Sequence, residues 1–130
     1  MKTITVLTAT RAEYGLLSPI IRALIECRKF NIRVVVTGAH LSPEFGLTYK
    51  EIEKDGFEID RKIEILLSSD TPSAISKSMG MAMIGFADYF AERRPDALVV
   101  LGDRYETLAV CCAAMNARIP IIHLYGGETT

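Results

Sequence analysis

The chain has 130 residues, 49% of them apolar and 24% charged, with a formal net charge of −1. That length supports one domain with a real core and is too short for two. The near-neutral balance offers no basic field for nucleic acid or an anionic membrane, and no apolar run approaches the roughly 18–20 residues that span a bilayer. The N-terminus, Met1-Lys2-Thr3-Ile4-Thr5-Val6, enters a strand pattern at once and has no small-residue cleavage site. No signal peptide is expected, and a cytoplasmic location follows. The cysteines Cys27, Cys111 and Cys112 form neither metal-ligand spacing nor a disulfide framework, and all three are expected to be small core residues.

In chain order, Lys2 to Thr8 alternates and is rich in Ile, Val and Thr, which reads as a first strand. Tyr14 to Arg28 has helical spacing through Leu16, Leu17, Ile20, Ile21, Leu24 and Ile25, with Pro19 in its first turn or two. Asn31 to Thr37 is a second strand, expected to be buried on both faces. A loop from Gly38 to Gly46 leads to a short helix over about Leu47 to Asp55, stopped by Gly56. Phe57 to Leu66 is more polar and alternates, which fits an edge strand.

Ser68-Ser69-Asp70-Thr71-Pro72 is turn chemistry that opens a long helix, Ser73 to Arg93, ended by Pro95. Within it, Met79, Met81 and Met83 with Phe86, Tyr89 and Phe90 read as core packing. Asp96 to Leu101 is a fourth strand, Tyr105 to Asn116 a helix, and Pro120 to Leu124 a fifth strand. The βαβαβαβαβ order with right-handed crossovers predicts an α/β, doubly wound parallel sheet in the order 3-2-1-4-5, one Rossmann-like domain over residues 1–130. Its switch point lies between strands one and four, where such sheets bind ligands. The chain stops just after strand five, whose flank is left bare. It is therefore expected to be the N-terminal part of a longer protein whose C-terminal domain is absent here, or to be covered by another chain, and a homo-oligomer that buries this surface is expected.

Polar residues gather at the expected carboxyl ends of the strands. Arg11, after the first strand, could hold a phosphate with nearby backbone amides, or pair with Glu13. His40, after the second, is either a loop acid–base group or a solvent-facing histidine. Asp103 follows the fourth strand beside Gly102, as a base, an orienting group or a helix N-cap. Arg104 and Glu106 could pair on the helix surface. After the fifth strand, His123 is a core or a site histidine, Gly126 and Gly127 allow a sharp turn or a close approach to a ligand, and Glu128 is a candidate second carboxylate facing Asp103.

Four segments taken together carry a resemblance: Thr8-Ala9-Thr10-Arg11-Ala12-Glu13-Tyr14-Gly15, Thr37-Gly38-Ala39-His40-Leu41-Ser42-Pro43-Glu44-Phe45-Gly46, Gly102-Asp103-Arg104-Tyr105-Glu106, and His123-Leu124-Tyr125-Gly126-Gly127-Glu128. In this order they closely resemble the N-terminal domain of the hydrolysing UDP-N-acetylglucosamine 2-epimerases of sialic and related nonulosonic acid synthesis. The resemblance implies a GT-B arrangement of two Rossmann-like domains with a UDP-sugar in the cleft between them, and no redox cofactor or metal. A base takes the C2 proton as UDP leaves C1, and water adds to the 2-acetamidoglucal to give N-acetylmannosamine. By the same resemblance, Arg11 lies near the diphosphate, His40 and Asp103 line the sugar site, and Asp103 does acid–base work. Arg104, Tyr125, Gly126 and Gly127 join the binding residues, and His123 and Glu128 the catalytic ones. Related enzymes often carry a catalytic Glu where this chain has Tyr125, so Glu128 or a residue beyond Thr130 would replace it. Arg104 after Asp103 favours the hydrolysing branch over non-hydrolysing epimerases and GT-B glycosyltransferases. A non-catalytic flavodoxin-like domain complete at Thr130 is the alternative from another class.

Overall fold

Strands and helices alternate along the chain in the computed structural model, which describes residues 1–43, 46–65 and 69–125. The elements are β1 (Lys2–Thr8), α1 (Arg11–Glu26), β2 (Phe30–Thr37), α2 (Tyr49–Lys54), β3 (Ile59–Ile63), α3 (Pro72–Glu92), β4 (Ala97–Leu101), α4 (Tyr105–Asn116) and β5 (Ile121–Leu124). The sheet is parallel throughout, in the order β3-β2-β1-β4-β5.

The period of two along each strand builds two cores. Ile4 and Val6 of β1 point with Val34, Val36, Val99 and Leu101 to the side covered by Tyr14, Leu17 and Ile21 of α1 and Ile52 of α2. Leu7 points the other way, with Val35, Leu98 and Val100, into Phe86, Tyr89 and Phe90 of α3 and Val110 and Ala114 of α4. The chain thus changes face between β3 and β4, and the switch point falls between β1 and β4. Val6 pairs with Val99, and Leu101 with Leu124. That register brings the ends of β1, β4 and β5 to nearly the same height, so their polar loops share one rim.

Several sequence expectations shift. Helix α1 begins at Arg11 rather than Tyr14, because the Thr10 hydroxyl caps it by accepting from the Glu13 amide at 3.2 Å. Pro19 therefore sits inside the helix; its missing amide leaves the carbonyl of Gly15 without an i+4 donor, at an exposed position. Only the carboxyl half of β2 is fully buried, Val34 to Thr37. Strand β3 is shorter than expected and pairs with β2 alone, as an edge. The cysteines are not core residues: Cys27 is exposed, and Cys111 and Cys112 are half-buried. Phe86, Tyr89 and Phe90 pack inside as expected, but Met81 and Met83 are exposed. Ile122 on β5 is also exposed, at 44%. No helix among the described residues is long and apolar enough to cross a membrane.

Candidate active site

Beneath the rim lies a buried histidine. After β2 the chain makes a 3-10 turn, Gly38–Leu41. Gly38 takes φ +62, and a Cβ there would meet the Ala9 carbonyl oxygen at 3.2 Å and the Ala9 Cβ at 3.3 Å. Glycine therefore lets the turn fold down onto the end of β1. The turn carries His40 inward, where its amide donates to the Ala9 carbonyl and its ring is fully buried. Nε2 meets the Thr8 hydroxyl at 2.8 Å and Nδ1 meets the Thr48 hydroxyl at 2.8 Å. Burial lowers its pKa to about 4, so the ring is neutral near pH 7. His40 is neither a solvent-facing loop residue nor a group at the rim. It ties the end of β1 to the segment before α2.

Two glutamates also lie beneath the rim. Glu13, in the first turn of α1, is 6% exposed, and its Oε1 accepts the Ala9 amide at 2.5 Å. Glu106, in the first turn of α4, is 1% exposed and accepts from Arg104 Nε and one terminal guanidinium nitrogen, both at 3.1 Å. Helix N-termini favour such carboxylates. Burial still dominates at Glu13 and raises its pKa to about 7, with backbone and hydroxyl donors opposing and the charge of Glu106 adding to the rise. Chiefly through its hydrogen bonds, Glu106 holds the Arg104 guanidinium in its charged form. The Arg104–Glu106 pair is therefore rooted in the interior, not on the helix surface. Sequence reasoning treated both glutamates as surface partners. The signal for Glu13 was the Thr10-x-x-Glu13 spacing of a capping box.

Asp103 and His123 meet above this layer. Gly102 takes φ +80, turns the chain out of β4, and donates its amide to the Leu124 carbonyl at 2.9 Å. Its own carbonyl accepts from His123 Nε2 at 2.7 Å, which requires the proton on Nε2. The same nitrogen lies 3.5 Å from Asp103 Oδ1, and both side chains are about half exposed. The N-cap of α4 is Arg104, with no side-chain cap bond, so Asp103 is not the cap. Tyr125 follows β5, 57% exposed and at φ +53, a backbone region that non-glycine residues seldom occupy.

Arg11 lies at the far side of the switch point. It is exposed and pairs with Glu51 of α2 at 2.8 Å, not with Glu13. It borders a depression of about 330 Å³ with Tyr14, Gly15, Glu51, Lys54 and Asp55. Part of the amide cradle expected for a phosphate at the start of α1 is taken by the chain's own Glu13 and Thr10. Gly126, Gly127 and Glu128 lie outside the described residues. No group of three potential metal ligands occurs among the described residues.

The sequence profile described as UDP-N-acetylglucosamine 2-epimerase matches residues 22–130. The chain belongs to the UDP-N-acetylglucosamine 2-epimerase family. It is 47% identical to the GDP/UDP-N,N'-diacetylbacillosamine 2-epimerase (hydrolyzing) of Campylobacter jejuni, over 98% of this chain and 33% of that protein. It is 37% identical to the UDP-N,N'-diacetylbacillosamine 2-epimerase (hydrolyzing) of Legionella pneumophila, over 98% of this chain and 34% of that one. The UDP-GlcNAc 2-epimerase of Methanocaldococcus jannaschii, solved in complex with UDP-GlcNAc and UDP, superposes with a TM-score of 0.78 at 26% identity, over 98% of this chain and 33% of that chain. The chain thus spans about a third of the length of the curated relatives it matches. Its fold is the Rossmann-like unit of these GT-B epimerases. Within this 2-epimerase family chain, the rim residues Asp103, Arg104, His123 and Tyr125 fall inside the profile match, and Arg11 precedes it.

Proposed function

We propose that this chain supplies one wall of the active site of a hydrolysing nucleotide-sugar 2-epimerase, and that a second Rossmann-like domain supplies the other. The substrate is a UDP-linked 2-acetamido sugar. The names of the Campylobacter and Legionella relatives favour a 2,4-diacetamido sugar over UDP-N-acetylglucosamine itself. A base takes the C2 proton while the C1–O bond to UDP breaks, leaving a 2-acetamidoglucal. Water then adds across the double bond, hydroxyl to C1 and a proton to the opposite face of C2. The products are the free 2-epimeric sugar and UDP.

The observation that carries this reading is the meeting of Asp103 and His123 at 3.5 Å over the adjoining ends of β4 and β5. A carboxylate and an imidazole side by side at one rim, both half open to solvent, suit an elimination that needs a base and then an acid. Arg104, held charged by Glu106, faces the β-phosphate as UDP leaves, and Arg11 adds a second cation. His40 acts from beneath by fixing the end of β1. Tyr125 with Gly126 and Gly127 contacts the sugar, and Glu128 is the second carboxylate. The reaction needs no redox cofactor, and the enzyme works as a cytoplasmic homo-oligomer. The test is to give the intact protein UDP-N-acetylglucosamine and UDP-N,N'-diacetylbacillosamine in deuterated water. One deuterium at C2 of a free, epimerised sugar with release of UDP is expected; a product still joined to the nucleotide refutes the hydrolysing assignment.

A further inference from the structure

Two buried titratable groups beneath the rim, Glu13 and His40, take no part in the chemistry above, yet one hydroxyl joins them. The Thr8 hydroxyl meets His40 Nε2 at 2.8 Å and also bonds to the Glu13 carboxyl. On the other side of the ring, Nδ1 meets the Thr48 hydroxyl at 2.8 Å. Thr8, His40 and Glu13 are buried, and Thr48, just before α2, is half-buried. The four side chains thus form a continuous hydrogen-bonded row from the edge of the fold to the first turn of α1. A hydroxyl and a neutral imidazole each carry one proton, so the row runs in one of two directions. With Glu13 ionised, Thr8 donates to the carboxylate, His40 donates from Nε2 to Thr8, and Thr48 donates to Nδ1. With Glu13 protonated, and Oε1 still accepting the Ala9 amide, every bond reverses: Glu13 donates to Thr8, Thr8 to Nε2, and Nδ1 to Thr48.

We propose that Glu13 is a proton-binding site served by this row, and that it loads when a diphosphate binds at the rim. A proton from solvent joins the Thr48 oxygen as the hydroxyl's own proton passes to Nδ1. The Nε2 proton passes to Thr8, and the Thr8 proton to Glu13. One proton is gained, no group on the way is left charged, and His40 changes from its Nε2–H to its Nδ1–H tautomer. Glu13 faces Glu106 and Arg104 of α4, and Glu51 of α2 acts on the His40 ring. Burial brings Glu13 to about 7 and His40 to about 4, so the ring can pass a proton near neutrality without itself becoming charged. A diphosphate beside Arg104 adds negative potential at Glu13, which favours the neutral carboxyl. By reciprocity, the loaded form binds the diphosphate more tightly. That coupling rests on the role given to Arg104 above; the tautomer change does not.

Nitrogen-15 NMR of the chain, labelled at its two histidines, His40 and His123, reads the tautomer directly. On going from about pH 8.5 to about pH 5.5, the His40 proton should move from Nε2 to Nδ1 with a midpoint of about 7, the ring staying neutral. In Glu13→Gln the side-chain oxygen stays on the Ala9 amide and the NH2 can only donate to Thr8, so His40 should keep the Nδ1–H form throughout. Thr8→Val should abolish the change, and Thr8→Ser, which keeps the hydroxyl, should retain it. In the intact enzyme, KM for the nucleotide sugar should rise roughly 5-fold from about pH 6 to about pH 8, and Glu13→Gln should flatten that rise. A His40 tautomer that is constant over this range, a change that persists in Glu13→Gln or Thr8→Val, or a KM rise that survives in Glu13→Gln overturns the proposal. The tautomer readout needs no substrate, so a failure of the proton site and a failure of the catalytic reading are told apart.

Discussion

Replacing Glu13 by Gln should make the fold more stable, and only above mild acidity. The Glu13 carboxyl is 6% exposed, and burial raises its pKa from 4.5 to about 7. At about 1.4 kcal/mol for each pH unit, that difference makes the ionised carboxylate roughly 3 kcal/mol less favourable in the folded chain than in the unfolded one. The sign follows from proton counting. Between pH 4.5 and about 7 the native state binds the proton that the unfolded state has lost. Stability from this group is thus complete below pH 4.5 and is lost as pH rises through about 7. Glutamine keeps an oxygen for the Ala9 amide and cannot ionise. The variant should match the wild type at pH 4 and exceed it by up to about 3 kcal/mol at pH 8. His40 contributes the reverse slope: neutral in the fold with a pKa of about 4, it adds stability that is present above about 6.5 and lost as pH falls through 4. In the wild type the two trends oppose each other over pH 4.5 to 6.5, whereas in Glu13→Gln the acid loss from His40 stands alone. Urea unfolding at several pH values measures both. A wild-type-to-variant difference that is the same at pH 4 and pH 8 would refute the reasoning.

In the intact enzyme, Asp103→Asn should lower kcat by about 10²–10⁴-fold with little change in unfolding midpoint, since Arg104 and not Asp103 caps α4. Thr48→Val removes the partner of His40 Nδ1 and should destabilise the fold by about 1–3 kcal/mol, because a buried polar nitrogen is left without a hydrogen bond; urea denaturation checks it. Gly85→Ala places a Cβ 2.6 Å from Ile63 Cγ2 and should destabilise by about 1–3 kcal/mol. Gly80→Ala, which meets nothing within 4 Å, should stabilise by about 0.5–1 kcal/mol through helix propensity, and thermal melts of the two variants should move in opposite directions.

The strands and the sheet order were legible because β1, β2 and β4 are rich in β-branched and apolar residues, and because short connections with right-handed crossovers leave few arrangements. Helix α4 matches its expected span, Tyr105–Asn116. Helix α1 was misjudged at its start, because apolar spacing marks the buried stripe while a cap marks the terminus, and Thr10 with Glu13 carried the second signal. The exposed Met81 shows the converse failure: helical spacing says which residues share a face, not whether that face is covered. For the site, spacing located the rim but not depth. Nothing local separates a histidine that ends a strand from one that a 3-10 turn folds beneath it, as at His40; that depends on Gly38 seating against Ala9, a contact between two strands.

The placement of the carboxylates bears on how a diphosphate would be held. At an open α/β switch point the helix N-termini are the usual anion sites, since their amides lack partners. Here α1 gives the Glu13 amide to Thr10, and the Ala9 amide just before it goes to Glu13, while a buried carboxylate, Glu106, occupies the first turn of α4. With internal carboxylates taking up those positive ends, a diphosphate at this rim would be gripped mainly by guanidinium groups. Arg104 is then positioned by the buried Glu106, which accepts from two of its guanidinium nitrogens. The two acids therefore divide the roles at one buried site: Glu13 accepts the Ala9 amide at the start of α1, and Glu106 orients the cation at the start of α4.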